Sequence, residues 1–469
     1  MCPMKQMSLQ KIASACQGTY YGEPSKKDLE VTGVAIDSRN IEQGFLFVPI
    51  KGERVDGHNF IPQVMENGAL CTLSEKELPD ASHPYILVDS TVQALQDLAR
   101  YYRSCLDIKV VGITGSVGKT STKEMVASVL AQKYSVLKTA GNFNNEIGLP
   151  LTIFQIREEH EVAILEMGID GFEQMHCLAK IARPDIGIIT NIGCCHLEAL
   201  GDRDGVLKAK TEMFDFMNDN PVILLNGDDD KLCTVTEASG VTPVFFGLAD
   251  SNAYYATEIE SLGMKGTRCT LHLADGNTVT ADIHIPGKHM VYNALAGAAA
   301  GCALGLTPEE IKAGIETLVP VAGRNNLIET EDLLIIDDCY NANPMSMKAS
   351  LDVLSHALGR KVAVIGDMKE LGENENSLHF ETGIYASEKG IDTICCIGPL
   401  AKYMAEGARE AKESKDSNAH QLVRYFETKE DFLNQMHTLL EKGDTILVKA
   451  SNSMKFTEIV ETLKTMNFS

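Results

Sequence analysis

The chain has 469 residues, room for about three domains of ordinary size. Hydrophobic residues make up 44% and charged residues 23%, a balance that builds packed cores and excludes extended disorder. The formal net charge is −23 and no run of Lys or Arg exceeds two, which excludes nucleic acid and anionic membrane surfaces as partners; phosphate-bearing ligands would need local devices such as backbone amides, a bound cation or single basic side chains.

In chain order, Met1 to Cys16 lacks the apolar stretch of a secretion signal. Val31 to Ile36, Phe45 to Ile50, Ala69 to Leu73 and Tyr85 to Val88 read as strands, and Val92 to Cys105 as a closing helix, together a small α/β unit over residues 1–106. Near Asp107 the regime changes. Lys109 to Thr114 is an apolar strand, and Lys119 to Tyr134 has helical spacing. Apolar strands follow at Val162 to Glu166, Ile186 to Asn191 and Val222 to Asn226, with helical patterns between most of them. Near-continuous apolar strands alternating with helices predict a parallel sheet covered on both faces.

Tyr254 to Ile285 breaks that rhythm as antiparallel hairpins, with a turn at Asp275-Gly276-Asn277. The Ala- and Gly-rich stretch Tyr292 to Leu306, about 15 residues, is too short to span a bilayer and reads as a buried helix. These patterns assign residues 107–319 to a central unit. Over 320–469, the strands Leu333 to Asp337, Val362 to Gly366, Thr393 to Ile397 and Thr445 to Lys449, with helices between them, predict a second, doubly wound sheet of Rossmann type. The thirteen cysteines include the adjacent pairs Cys194-Cys195 and Cys395-Cys396 but no Cys-x-x-Cys spacing, so buried free thiols in a reducing compartment are expected. The expectation is a soluble, cytoplasmic, monomeric α/β protein with no membrane insertion.

The segment Thr114-Gly115-Ser116-Val117-Gly118-Lys119-Thr120 carries the most chemistry. It joins a predicted strand to a predicted helix, where glycines let amides converge on phosphate oxygens and the helix N-terminus adds partial positive charge. Lys119 would meet the β- and γ-phosphates, and the Thr120 hydroxyl would bind Mg²⁺. The strict phosphate-loop pattern asks for Gly where this chain has Ile113, but the Gly-x-x-Gly-Lys-Thr core is intact. Such a loop does not name a reaction, because motors, switches, kinases and ligases share it.

Further along, Glu166 ends a strand, where ligands gather in open α/β sheets. His196 follows the next strand by a short loop; Mg²⁺ prefers oxygen ligands, so by chemistry alone His196 reads as a polar loop residue. Lys210 reads as a solvated lysine on a helix.

Taken together, these segments resemble the Mur ligase family. Gly115 to Thr120 looks like its ATP loop, and Asn142-Phe143-Asn144-Asn145-Glu146-Ile147-Gly148 like the substrate-side loop that follows. Glu166-Met167-Gly168, His196-Leu197-Glu198 and Lys208-Ala209-Lys210 are similar to its metal region. Asn293-Ala294-Leu295-Ala296, Gly323-Arg324 and Asp338-Cys339-Tyr340-Asn341-Ala342-Asn343-Pro344 look like the elements that close on the nucleotide. Gly366-Asp367-Met368-Lys369-Glu370-Leu371-Gly372 resembles the member that adds D-alanyl-D-alanine to the UDP-N-acetylmuramoyl tripeptide, and the Asp-Asn-Pro-Arg signature of the member adding the third amino acid is absent.

The resemblance implies ATP and Mg²⁺ as cofactors, and an acyl-phosphate mechanism with catalytic roles for Lys119, Glu166, His196, Lys210 and Arg324. It places Thr120, Glu166, His196 and Lys210, the last carbamylated by CO₂, at magnesium. It places Asn293 and Tyr340-Asn341 at adenine, Arg324 at the phosphates and Asp338 at the ribose. Ser38 and Arg39, with Asn142 and Asn145, would hold the UDP-linked substrate, and the stretch Lys51 to Phe60 would lie nearby. Two departures stand out. The family's usual His-Asn is His289-Met290 here, and its usual Lys-Gly-Ser-Arg is Lys449-Ala450-Ser451-Asn452, with Lys455 three residues on as a substitute for the missing arginine. The competing readings are a different Mur-type amide ligase, such as the folate polyglutamate ligase, and a P-loop switch or transporter ATPase that consumes no acceptor amine.

Overall fold

The computed structural model describes residues 4–78, 83–413 and 420–468. Three sheets organise the molecule. The first has five strands, β1 (Thr19–Tyr21), β2 (Gly33–Ala35), β3 (Phe45–Phe47), β4 (Cys71–Ser74) and β5 (Tyr85–Leu87), in the order β1-β5-β4-β3-β2. All neighbours are parallel except β1, which runs against β5. The closing helix Thr91–Ser104 is capped by Ser90, whose side chain accepts the Gln93 amide. It buries Ala94, Leu95, Leu98, Ala99 and Tyr102, and the Tyr102 hydroxyl donates to the Ile156 carbonyl at 2.7 Å. A single apolar cluster therefore runs from Met4 through this helix to Leu232, so the first sheet shares a core with one face of the second.

The second sheet has nine strands: β6 (Lys109–Thr114), β7 (Val136–Lys138), β8 (Val162–Glu166), β9 (Ile186–Ile189), β10 (Val222–Asn226), β11 (Val244–Gly247), β12 (Tyr254–Ser261), β13 (Thr267–His272) and β14 (Thr278–Ile283), in the order β14-β13-β12-β11-β10-β9-β6-β8-β7. β6 shows why its apolar run is unbroken: Val110 faces the core shared with the first sheet, while Val111 and Ile113 face an opposite core built with the helices Lys119–Leu130 and His289–Ala303. The expected hairpins are present as antiparallel β12, β13 and β14, with a register shift between Thr257 and Glu260 and Glu258 in left-handed backbone at φ 52°.

The third sheet has six strands, β15 (Asn326–Glu329), β16 (Leu334–Asp337), β17 (Lys361–Gly366), β18 (Thr393–Ile397), β19 (Leu422–Phe426) and β20 (Thr445–Lys449), ordered β15-β16-β20-β17-β18-β19, parallel except for β15. Separate apolar clusters cover its two faces, the doubly wound arrangement expected from its buried strands.

Boundaries moved in two helices. The helix after the phosphate loop ends at Leu130, and the chain leaves through a turn in which the Tyr134 amide still reaches the Leu130 carbonyl. The Ala-rich helix begins at His289, a turn earlier than its apolar stretch, because Gly287 at φ 115° redirects the chain just before it. No helix among the described residues is long and apolar enough to cross a membrane.

Candidate functional site

β6, β8 and β9 end on the same edge of the central sheet, and the loop after β6 opens there. Gly115 has φ 151°, and a Cβ on it would lie 1.9 Å from Thr190 Oγ1; Gly118 has φ 82° and caps the helix Lys119–Leu130. The loop is pinned from β9. The Ser116 amide donates to the Asn191 carbonyl at 3.1 Å, the Val117 amide to Asn191 Oδ1 at 2.9 Å, and Thr190 Oγ1 to the Val117 carbonyl at 2.7 Å. The first helical turn, whose amides lack intrahelical acceptors, lines a cavity of ≈ 780 Å³. Lys119 Nζ folds back onto the Gly115 carbonyl at 2.8 Å, and burial lowers its pKa. Thr114 is different: it ends β6 fully buried, its hydroxyl has no partner, and it does not line the cavity.

Thr120 and Glu166 meet beside this turn. Thr120 Oγ1 donates to Glu166 Oε2 at 3.0 Å, Asn144 Nδ2 donates to Glu166 Oε1 at 2.9 Å, and Arg324 Nη2 reaches Thr120 Oγ1 at 3.3 Å from the third sheet's side. Glu166 is almost wholly buried, and its charge is balanced by the buried Lys123, 3.7 Å away. A hydroxyl and a carboxylate set side by side suit a hard divalent cation. Among the described residues no three His, Cys, Asp or Glu side chains converge on a single point. His196 lines the same cavity, but its Nδ1 sits 2.8 Å from Glu370 Oε2. Lys210 is not the solvated lysine its helix pattern suggested: it is 1% exposed and does not line the cavity. Burial first, and then Lys119, draw its pKa down to about 7. The uncharged amine is the form that adds to CO₂, and a lysine with its pKa near neutrality holds a substantial share of it, so these residues fit both a magnesium ion and a carbamate.

The third sheet supplies the opposite wall. Arg324 lies 3.9 Å over the Tyr340 ring. Asp338 accepts Lys449 Nζ at 2.6 Å, a Ser350 hydroxyl and the Asn325 amide. Asn341 and Asn293 line the cavity too, with Asn293 Oδ1 accepting Thr122 Oγ1 at 2.9 Å. Met290, standing where the family has Asn, is met by Asn293 Nδ2 at 3.2 Å from its sulfur. Asn452 Nδ2 donates to the Tyr340 carbonyl. Lys455 does not take the missing arginine's place on a helical face: it follows a short turn in left-handed backbone, exposed, and does not line the cavity.

Ser38, Arg39 and Asn142 also lie outside the cavity. Arg39 is spent locally, its guanidinium on Asp37 at 2.6 Å, and Arg39 holds the Asp37 carboxyl down to about 2. Asn145 lines the cavity while its Oδ1 accepts the Gly148 amide at 2.8 Å, at the start of the helix Gly148–Ile153.

Comparison with known proteins matches three family profiles in order: "Mur ligase family, catalytic domain" over residues 30–103, "Mur ligase middle domain" over 113–301 and "Mur ligase, glutamate ligase domain" over 323–452. The UDP-N-acetylmuramoyl-tripeptide--D-alanyl-D-alanine ligase of Bacillus subtilis (strain 168) is 40% identical over 465 residues, 98% of this chain and 99% of that protein. The chain belongs to the Mur ligase family. The Escherichia coli (strain K12) ligase of the same name is 34% identical, with 94% of this chain and 96% of that one aligned. Among solved Mur ligases, a crystal structure of MurF from Acinetobacter baumannii superposes with a TM-score of 0.89 at 32% identity, covering 99% of this chain and all of the other. MurF ligase from Thermotoga maritima in complex with ADP gives 0.79 at 30% identity, covering 92% and 97%.

Sequence reading missed Asn191, Lys123, Lys449 and Met345 in this Mur ligase. Lys123 sits one turn after Lys119 and so shares its helix face, a signal that was available. Asn191 acts from a strand end beyond its motif, Lys449 opens the segment Lys449 to Asn452 but takes no role there from the sequence, and Met345 comes beside Gly193 only because two sheets meet, which no local pattern encodes.

Proposed function

We propose that this chain joins D-alanyl-D-alanine to UDP-N-acetylmuramoyl tripeptide at the expense of ATP, a step of peptidoglycan synthesis carried out in the cytoplasm by a monomer. The observation that carries this reading is the meeting of Thr120, Glu166 and Arg324 from two sheets beside the phosphate loop. It occurs in a chain that aligns over nearly its full length with ligases of that name. The bound ADP of the Thermotoga maritima relative supports the nucleotide. We assign residues 1–106 to the UDP end, 107–319 to ATP and 320–469 to the amine and to closure.

In the first step an oxygen of the tripeptide's terminal carboxylate attacks the γ-phosphorus, a new P–O bond forms, and ADP leaves with the electrons of the broken bond. In the second, the uncharged amine of the dipeptide attacks the acyl carbon; phosphate departs and the amine's proton passes to solvent. Two anions must approach in step one. Lys119, the first-turn amides and Arg324 present positive charge that is already in place, the arrangement that contributes most to such catalysis. A magnesium ion held by Thr120, Glu166 and His196 would neutralise phosphate charge. Lys210 supplies a buried amine whose uncharged form can add to CO₂ with loss of a proton, which would put a carbamate oxygen donor where an amine stood. Water competes for the acyl phosphate, and the wall of Arg324, Tyr340 and Met345 beside the loop would have to shield it.

The test mixes the chain with ATP, Mg²⁺, D-alanyl-D-alanine and UDP-muramoyl tripeptides ending in L-lysine or in diaminopimelate, and follows product by mass. Pentapeptide formation with one of them is expected. ATP hydrolysis without amine consumption would replace the ligase with a switch ATPase.

A further inference from the structure

His196 and Glu370 come from different sheets. His196 precedes the short helix Leu197–Leu200 of the central part, and Glu370 follows β17 of the third sheet, inside the segment Gly366 to Gly372. Their side chains meet at 2.8 Å between Nδ1 and Oε2. Both backbones are left-handed, φ 52° at His196 and 65° at Glu370, a conformation that costs energy in residues with side chains and collects at functional sites. The contact is local to that junction: a Cβ on Gly372 would lie 3.8 Å from the Glu198 amide, so residues 370–372 rest on 196–198.

A carboxylate held 2.8 Å from Nδ1 favours the tautomer that carries its proton there and leaves the Nε2 lone pair free on the other side of the ring. His196 lines the cavity that also holds Thr120 and Glu166, and Glu370 does not. The carboxylate therefore meets the ring from outside that cavity. We propose that Glu370 is a positioning residue that orients His196 as a cation ligand once the third sheet is docked on the central one, so that the cation site is completed by closure. This rests on the cation site described above and adds a residue that reaches the site from another sheet without touching the ion. It also answers the chemical objection to His196: a hard cation is better served by an imidazole whose other nitrogen is backed by a carboxylate than by an unsupported one.

The test is binding of Mn²⁺ to the full chain with a non-hydrolysable ATP analogue, read by loss of the electron paramagnetic resonance signal of free Mn²⁺. Glu370→Ala is expected to weaken Mn²⁺ about tenfold, with Glu370→Gln losing less because it keeps an acceptor. Glu370 is largely exposed, with 63% of its side chain accessible, so these variants keep the fold. In a His196→Ala background, Glu370→Ala is expected to add no further loss. An undiminished affinity in Glu370→Ala, or the same loss in both backgrounds, overturns the proposal, because an effect that bypasses His196 would come from loosened docking alone. Wild-type chain that binds Mn²⁺ with nucleotide but yields no pentapeptide would remove the ligase reading and leave this pair standing.

Discussion

Burying an ammonium or a carboxylate alone costs several kcal/mol, and Lys123 and Glu166 are both almost wholly inside the protein. Lys123 Nζ donates to the Thr139 carbonyl at 2.7 Å and lies 3.2 Å from Glu124 and 3.7 Å from Glu166. Removing it takes the buried counter-ion from Glu166, which keeps only the neutral donors Thr120 and Asn144, and a donor from the Thr139 carbonyl, while Glu124 keeps Lys138. Lys123→Met is therefore expected to cost the central part about 3–5 kcal/mol, read as a lower urea midpoint for its unfolding transition. An unchanged midpoint would mean that water already screens this network. At this scale the sequence was uneven evidence. Gly115 to Thr120 could be read because glycines and a lysine at a strand end have few other uses. Lys210 could not, because a nine-residue helix carries too few apolar positions to say which face is inward.

Among elements, the strands that escaped sequence reading are mostly sheet edges. β1, β7, β15 and β19 each end a sheet, and β1, β7 and β15 bury none of their residues fully, so the apolar run that betrays a central strand is missing. β11 lies inside its sheet, but Val244 and Phe245 are only partly buried and it ends in Gly247, so it shows no long apolar run. The inner strands of the second and third sheets were legible because both their faces are covered. Helix contacts were not legible, although glycines mark them. Helices Glu375–Glu388 and Ala401–Glu413 pack so closely that a Cβ on Gly383 would lie 1.9 Å from the Met404 carbonyl oxygen and one on Gly407 2.1 Å from that of Phe380. Gly383→Ala is expected to destabilise the third part by about 1–3 kcal/mol while leaving UDP-substrate binding unchanged, measured by denaturation and calorimetry. The first of these helices also holds a pH dependence. His379 is fully buried, accepting the Met368 amide on Nε2 and donating Nδ1 to the Glu375 carbonyl, and burial lowers its pKa. The unfolded chain takes up that proton near pH ~6.5 while the folded chain resists, so stability falls as pH drops from about 6.5 toward the folded pKa. The melting transition of the third part should move down between pH ~7 and ~5.5, and His379→Gln, which can still donate and accept, should flatten that slope.

The whole molecule divides unequally. The first and central sheets share a core, whereas the third meets the central part through contacts that include Arg324 on Thr120, Asn325 on the Pro286 carbonyl, Val353 beside Gly287, the partly buried Met264 against one cluster of the third part, Met345 beside Gly193 and Glu370 on His196. Such a joint, with no core shared as extensively as that of the first two sheets, can open, and opening would withdraw Arg324 and Tyr340 together. The UDP end of the substrate is assigned to the part that stays with the central sheet. Arg324→Ala should therefore leave calorimetric affinity for the UDP-muramoyl tripeptide within about twofold of wild type and lower kcat by about a hundredfold, since it removes a charge that meets the transferring phosphoryl only when the joint is shut. The guanidinium also stacks on Tyr340, so Arg324→Lys, which keeps the charge but loses the planar contact and the fork, should recover only part of the rate. Equal losses in affinity and turnover would mean that the third part helps to hold the UDP substrate, and closure would then not be the event that assembles the site.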